Sequence, residues 1–520
     1  MLPGPWMVRA FTGICVGKDG RGRQPATRNG RGTMKRIFGM LLGAVLLLTA
    51  VLVIRTLQFA PPQFEASEIL ADVDWSEAEL AAGLAGALRF PTISNIDADA
   101  VDQQAFEDFQ AYLKQRFPKV FAQIPHQRLP GGTLLFRWSG NSEALKPIML
   151  IAHQDVVPVI PGTEDQWSYP PFAGTIADGY IWGRGAIDDK ASVIGILEAT
   201  ERLLEEGFVP PRTVYLGFGH DEEVGGKGAQ AMAALLAERG ESLAFLLDEG
   251  GVIAKDMLPG VAERVALIGP AEKGYVSLKL SADGGGGHSS VPPQQSAAGV
   301  VAAAVARLEA NPLPADMQYT VDFIRYLGDS VPFYQRLLFA NNWLFEPLLE
   351  KVLSSQAPIN AGMRTTTAVT MLQGSVRDNV LPIVAYAVVN FRILPGDTID
   401  GVQQKVAEII DDPRIRIETY GGFGNNPSAV ASPDSAGFNV LADLVRQVSP
   451  GTIVAPRLVV AATDARHFEE VSENSYRFIG VEVGPKEMKG IHGTDERVSI
   501  ASYVEAVRIY YHLLRRSAEL

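Results

Sequence analysis

Short apolar runs in this chain keep ending in compact clusters of histidine and carboxylate. The clusters are "AHQD", "GRGAIDDK", "GHDEEVGG", "LLDEGG" and "GIHGTDE". All but the last directly follow an apolar run that reads as a strand, or lie in its loop. A carboxylate is costly to bury unless it is paired or metal-bound. In open α/β sheets, functional sites gather outside the carboxyl ends of the strands. Any one cluster alone reads as an ordinary polar loop. Five together call for a fold that brings strand ends to one place, and for something cationic between them.

The flanking pattern supplies that fold. "GGTLLFRW", "PIMLIAHQD", "TVYLGFG" and "LAFLLDEGG" read as strands. They alternate with "ASVIGILEATERLLEEG" and "GAQAMAALLAERG", whose apolar residues recur at helical spacing. Gly207 is placed to end the first of these helices. Upstream, "SEAELAAGLAGALRF" and "DADAVDQQAFEDFQAYLKQRF" read as helices, with Asp97 or Asp99 as cap of the second. The implied fold class is α/β with a mostly parallel central sheet.

After Gly274 the rhythm changes. "YVSLKLSADG" alternates apolar and polar residues, as a half-exposed strand does. A helix from Pro293 to Leu308 follows, then strands "AVTMLQGSV" and "IVAYAVVNFRIL", helix "TIDGVQQKVAEII" and strand "IRIETY". These read as a smaller α+β domain. It encloses an aromatic-rich helical insertion near 315–360, read first as packed, with a lipid- or partner-facing surface as the alternative. The α/β pattern then returns. The expected layout is a catalytic domain over 75–273 and 421–518, interrupted by the small domain at 274–420.

The first 33 residues are Gly- and Arg-rich, and Met34 is a plausible start, so 1–33 reads as disordered or as an over-extended reading frame. Lys35 and Arg36 precede an uncharged apolar run of 18 residues, Ile37–Ile54. With no clean cleavage site after it, the segment 34–60 reads as an uncleaved signal-anchor, the body facing away from the cytoplasm. Cys15 is the only cysteine. That excludes a disulfide framework, a thiolate zinc site and a cysteine nucleophile in the body. A net charge of -13 without a basic block in the body argues against nucleic acid as substrate.

Histidine and carboxylate without thiolate suit zinc. Two ions sharing one Asp would clamp a hydroxide and a carbonyl oxygen, with a further carboxylate as general base. Spacing alone leaves open which of Glu222 and Glu223 takes which role. Lys190 reads as a helix start with a local salt bridge.

The segments "IAHQDVVPV", "GYIWGRGAIDDKASV", "GHDEEVGGKGA", "FLLDEGG", "GGGGHSS" and "GIHGTDERVS" together resemble the zinc metallopeptidase superfamily of aminoacylases, carboxypeptidase S and related dipeptidases. The likeness spans roughly residues 75–518 and is nearest to carboxypeptidase S and the secreted N-fatty-acyl-amino-acid hydrolases. It implies two Zn2+ per subunit, a zinc-peptidase catalytic domain, and a small domain acting as lid and dimerisation unit. His153 would bind one zinc and Asp188 would bridge. Glu223 and His492 would complete the second. The last ligand of the first zinc would be Glu249, with Asp248 as the alternative. Asp155 would orient His153, and Glu222 would be the base. His288 would steady the oxyanion, reaching in dimeric members from the neighbouring subunit. Asn379 and Arg392, together with Arg466 in "TDARHF", would contact substrate.

The implied activity is hydrolysis of the amide next to a free-carboxylate amino acid, in a peptide or an N-acyl amino acid. The alternatives are hydrolysis of another small amide, such as a carbamoyl amino acid, and a non-catalytic binding protein on the same fold. The implied partners are the small substrate, the membrane through the anchor, and a second subunit through the small domain.

Overall fold

The computed structural model describes residues 30–62, 70 and 73–520. The expectation for the start of the chain falls mostly outside those residues. The chain divides into two units, Met1–Ile54 and Arg55–Leu520. In the first, a helix begins at Gly30 and runs on to Gln58. Its stretch Met34–Gln58 is long and apolar enough to cross a membrane, by length and composition.

The second unit is built on a six-stranded sheet. Its order is His126–Arg128, Leu134–Trp138, Val214–Gly219, Ile148–His153, Phe245–Asp248 and Ser475–Arg477. The last four strands run parallel, while the first two join antiparallel at one edge. Both faces are buried, and the side chains alternate between them with period two. Ile148, Leu150 and Ala152 pack into the core shared with the helices Lys190–Glu205 and Ile500–Arg515. Met149 and Ile151 point the other way, against Met232 and Leu236 of the helix Lys227–Glu238. Ser475–Arg477 extends the sheet from the far end of the chain. Ile453–Pro456 instead joins Val265–Ile268 in a separate four-stranded sheet.

A second core lies under the antiparallel sheet ordered Thr366–Gln373, Val384–Ile393, Gly274–Asp283 and Arg416–Asn425. Leu278, Leu280, Val389 and Phe391 face the helices Ala297–Ala310 and Ile399–Ile410. The aromatic-rich stretch folds as four short helices, Gln318–Leu327, Phe333–Ala340, Asn342–Leu353 and Ala357–Met363. They close around Met317, Phe339, Leu349 and Met363.

Two helix starts differ from expectation. Asp97 caps only a short turn at Ala98–Ala100, and the long helix Gln103–Arg116 is capped by Asp102. The helix expected from Pro293 begins at Ala297, where the Ser296 hydroxyl accepts the Gly299 N–H. In both cases the side chain that reaches a free amide sets the start.

Candidate active site

The parallel strands end in the polar clusters, and the sheet register sets them side by side. His153 is the last residue of its strand and pairs with Gly219 of the neighbouring one. The turn Glu222–Val224 follows Gly219, and Glu249 follows the strand Phe245–Asp248. Asp188 sits just before the helix Lys190–Glu205, with a cis Asp188–Asp189 peptide.

His492 comes from the C-terminal loop with φ of +56°. A residue with a Cβ adopts that left-handed region at a cost of about 1–3 kcal/mol, so surrounding contacts must hold it. Arg184 supplies them: Nη2 donates to Gly493 O at 2.7 Å and Nη1 to Gly490 O at 3.5 Å. Nη1 also meets Glu496 Oε2 at 2.7 Å. Glu496 in turn accepts the backbone N–H groups of Gly185, Ile187 and Asp188. This fully buried ion pair ties the Asp188 loop and the His492 loop to each other.

Two clusters result, His153–Asp188–Glu249 and Asp188–Glu223–His492, each with potential ligand atoms within 4.8 Å of one another. Asp188 belongs to both. Its Oδ1 lies 3.0 Å from His153 Nε2 and its Oδ2 lies 3.0 Å from His492 Nε2. Glu223 Oε2 stands 3.3 Å from His492 Nε2. A carboxylate with one oxygen toward each imidazole has the geometry of a bridge. Glu249, not Asp248, enters the cluster. The Asp248 oxygens are taken by the N–H groups of Glu249 and Ala465.

The charge balance fits bound cations. Burial, then the charge of Asp188, pushes both Glu223 and Glu249 above the usual carboxylate range. Burial also opposes ionisation of Asp188, but hydrogen bonds from His153 and His492 outweigh it and keep its pKa low. Those contacts with Asp188 and Glu223 raise His492 to about 10. Glu223 Oε1 is buried without a hydrogen-bond partner among the described residues. Crowded carboxylates, two imidazoles, no thiolate and one orphaned buried oxygen form the donor set of a two-zinc site.

Asp155 joins the two halves. Its backbone oxygen lies 3.0 Å from His153 Nδ1, and its Oδ1 lies 3.3 Å from the same nitrogen. Its two carboxylate oxygens also accept the N–H groups of Glu222 and Glu223, each at 3.2 Å. Burial, reinforced by the charge of Asp464, pushes the Glu222 carboxyl well above the usual carboxylate range. Arg466 Nη1 approaches Glu222 Oε1 at 3.5 Å and donates to Thr463 O at 2.8 Å. Arg466 therefore flanks Glu222 rather than standing apart from it.

The other expected contact residues are distributed differently. Arg392 is half-buried over the Tyr275 ring at 5.0 Å and forms no ion pair with the described residues. Burial lowers its pKa, Tyr275 opposes that shift, and the charge of Arg466 adds to it. His288 lies on a separate two-stranded ribbon and Asn379 in the turn just before its second strand, where Ser289 N–H donates to Asn379 O at 3.1 Å. The exposed His288 contacts Ser290 and neither metal cluster. Lys190 does begin its helix, but without a salt bridge among the described residues. Its buried Nζ donates to the Ala87 and Phe90 carbonyls, and burial lowers its pKa to about 7.

Three residues escaped the sequence reading: Arg184, Glu496 and Asp464. All three lie inside the motifs "GRGAIDDK", "GIHGTDE" and "TDARHF", but the pairing of the first two and the burial of the third are visible only in space. Asp464 is buried beside Gly219 and Gly226, with neither oxygen finding a hydrogen-bond partner among the described residues. A Cβ at Gly226 would lie 2.2 Å from Asp464 Oδ1, and φ there is +69°, so this turn needs glycine on both counts.

An α/β body whose strand ends carry two carboxylate–histidine clusters sharing one Asp defines a co-catalytic dizinc hydrolase. The model of peptidase family M20/M25/M40 matches residues 149–516, and the chain belongs to that family. A probable carboxypeptidase S-like 2 of Dictyostelium discoideum is 37% identical over 491 residues, covering 92% of this chain and 93% of that protein. The N-fatty-acyl-amino acid synthase/hydrolase PM20D1 of Xenopus tropicalis is 39% identical over 487 residues, covering 92% and 94%. Among solved structures, an M20 family metallo-carboxypeptidase from Sulfolobus solfataricus has a similar fold. Its TM-score is 0.59 at 18% identity, covering 84% of this chain and 98% of that one.

Proposed function

We propose that this enzyme hydrolyses N-acyl amino acids with an apolar acyl group, releasing an amino acid with a free α-carboxylate. The observation that carries the reading is Arg392. It is a half-buried guanidinium that forms no ion pair with the described residues and feels the charge of Arg466, which itself meets Glu222. A planar fork held without a carboxylate suits one that arrives with the substrate. Likeness to PM20D1 along nearly the whole chain supports the acyl group, and likeness to carboxypeptidase S-like 2 keeps peptide C-termini as the second reading.

In this reading His153, Asp188 and Glu249 hold one zinc, and Asp188, Glu223 and His492 the other. Bound zinc supplies Lewis acidity, polarising the scissile carbonyl and easing ionisation of water. Glu222 takes the proton from the attacking water and returns it to the leaving nitrogen. Asp155 sets the tilt of His153 and fixes the backbone that presents Glu222. Arg466 keeps Glu222 turned inward, and Arg392 receives the substrate carboxylate. His288 and Asn379 act from the small α+β domain, His288 in a neighbouring subunit's site. The lid, the dimer and the domain boundaries at 274 and 420 are parts of the same proposal.

The helix Met34–Gln58 is read as a signal-anchor with the body outside the cytoplasm, supported by Lys35 and Arg36 at its start. Protease added to intact cells, with any outer membrane first opened, should then remove the body. Protection until the inner membrane is broken contradicts the reading. For the chemistry, an N-acyl amino acid is compared with its α-amide. Turnover of the amide should fall by roughly two orders of magnitude, within the 2–5 kcal/mol typical of removing one partner of a desolvated charge pair. Equal cleavage of both would remove Arg392 from the site.

A further inference from the structure

The segment Arg55–Pro61 is built into the helical insertion. Arg55 Nε donates to Ala340 O at 3.3 Å, and Asn341 Nδ2 approaches Thr56 Oγ1 at 3.4 Å. Phe59 packs against the cluster of Met317, Phe339, Leu349 and Met363, and Pro61 lies against Gly328. The insertion is thus the part of the folded body seated on the chain just where the apolar helix ends at Gln58.

The same insertion exposes apolar surface. In the helix Asn342–Leu353, Phe345, Leu349 and Leu353 turn into the cluster. The next stripe round the helix is Leu344, Leu348 and Val352, spaced i, i+4, i+8, and it faces outward. Trp343 lies beside it, and Phe333 and Tyr334 open the adjoining helix. Exposure of these six runs from 41% at Leu344 to 64% at Tyr334. Aromatic and aliphatic side chains gathered on one surface element are unusual on a free soluble body. Trp and Tyr with an aliphatic stripe are the composition of a helix that settles at a bilayer interface.

We propose that this face of the insertion beds into the lipid surface of the membrane crossed by Met34–Gln58, making a second, monotopic contact beside the anchor. The proposal rests on the signal-anchor reading. Covalent continuity supplies the occupant: Phe59 and Pro61, fixed on the insertion, follow the end of the helix at Gln58 by one and three residues, so the insertion is tethered at the surface of the membrane that this helix crosses. The contact would place the hydrolase body where N-acyl substrates partition.

The test uses the full chain in phosphatidylcholine vesicles. Cys15→Ser removes the sole thiol. Leu348→Cys, or Ile96→Cys as an exposed reference, then takes a nitroxide label. Power saturation with oxygen and with a water-soluble nickel chelate distinguishes the surroundings of each label. At 348 the expected result is high oxygen and several-fold lower nickel accessibility than at 96. Nickel accessibility equal to that at 96, in chain that floats with the vesicles, overturns the lipid contact and leaves the anchor intact. Low accessibility to both reagents overturns it in favour of a second copy or another protein covering the face. Chain that fails to float with vesicles removes the anchor reading and this contact together. A Leu344→Ser/Leu348→Ser variant guards against disturbance by the label. It should lose activity several-fold on vesicle-held long-chain substrate and keep it on a soluble short-chain amide. Equal loss on both counts against the proposal.

Discussion

At the scale of single residues, adjacent carboxylates are separated by what their neighbours leave free. Glu223 and His492 meet across one cluster, while Glu222 is absent from both clusters and meets Arg466 instead. Glu222→Gln keeps the shape and loses the proton acceptor. Its kcat should fall about 10²–10⁴-fold with two zinc equivalents retained in metal analysis. Glu223→Gln should lose zinc first. The reverse pattern would exchange the two roles. Glu496 touches neither cluster as a ligand, yet it holds the Asp188 amide and Arg184. Glu496→Gln leaves Arg184 as a buried, unpaired charge, a loss of about 3–5 kcal/mol in comparable pairs. A fall in melting temperature together with weaker zinc retention is expected. Unchanged zinc affinity would confine Glu496 to stability.

At the scale of elements, the final helix Ile500–Arg515 carries a pH dependence of its own. Burial, then the charges of Arg508, Arg515 and Arg516, lowers the pKa of His512 to about 4 from an ordinary 6.5. The stability tied to its neutral form is complete above pH 6.5. It is lost as pH falls toward 4, because the unfolded chain takes up a proton that the folded helix refuses. His512→Gln should therefore flatten part of the decline in melting temperature between pH 7 and 5. Parallel curves for the two proteins would show that His512 does not contribute. The elements themselves were largely legible. Ile148–His153 and Val214–Gly219 are apolar runs stopped by polar clusters, and the buried sheet requires that pattern. Helix starts were less so, because Asp97, Asp99 and Asp102 all have capping chemistry and only contact selects Asp102. Asp248 and Glu249 are equivalent in spacing, and the backbone amides that claim Asp248 lie partly in a segment more than 200 residues away. The Arg184–Glu496 pair, 312 residues apart, leaves no local trace at all.

At the scale of the whole molecule, the proposed site draws on two sheets with separate cores. The zinc clusters and Glu222 belong to the parallel sheet, and Arg392 to the antiparallel one. Between them runs Glu272, buried, its Oε2 accepting from Thr463 and from Arg477 Nε at 3.1 Å. That network fixes the start of the strand Gly274–Asp283, which pairs in register with the strand carrying Arg392. On the proposed reading, carboxylate recognition and amide cleavage would be carried by different layers, and kinetics should separate them. Arg392→Lys keeps the charge but loses the fork, so KM should rise with kcat largely kept, the opposite of Glu222→Gln. The acyl side of the substrate tests the remaining choice. If an apolar channel accepts the chain, each added CH₂ contributes up to about 0.8 kcal/mol, close to fourfold in kcat/KM. A series of N-acyl amino acids sharing one amino acid should then rise steadily with chain length and level off where the channel ends. A flat series, with rapid cleavage of blocked dipeptides bearing a free C-terminus, would assign the enzyme to peptide C-termini. Arg392 would keep its role in that case, because both substrates present the same carboxylate.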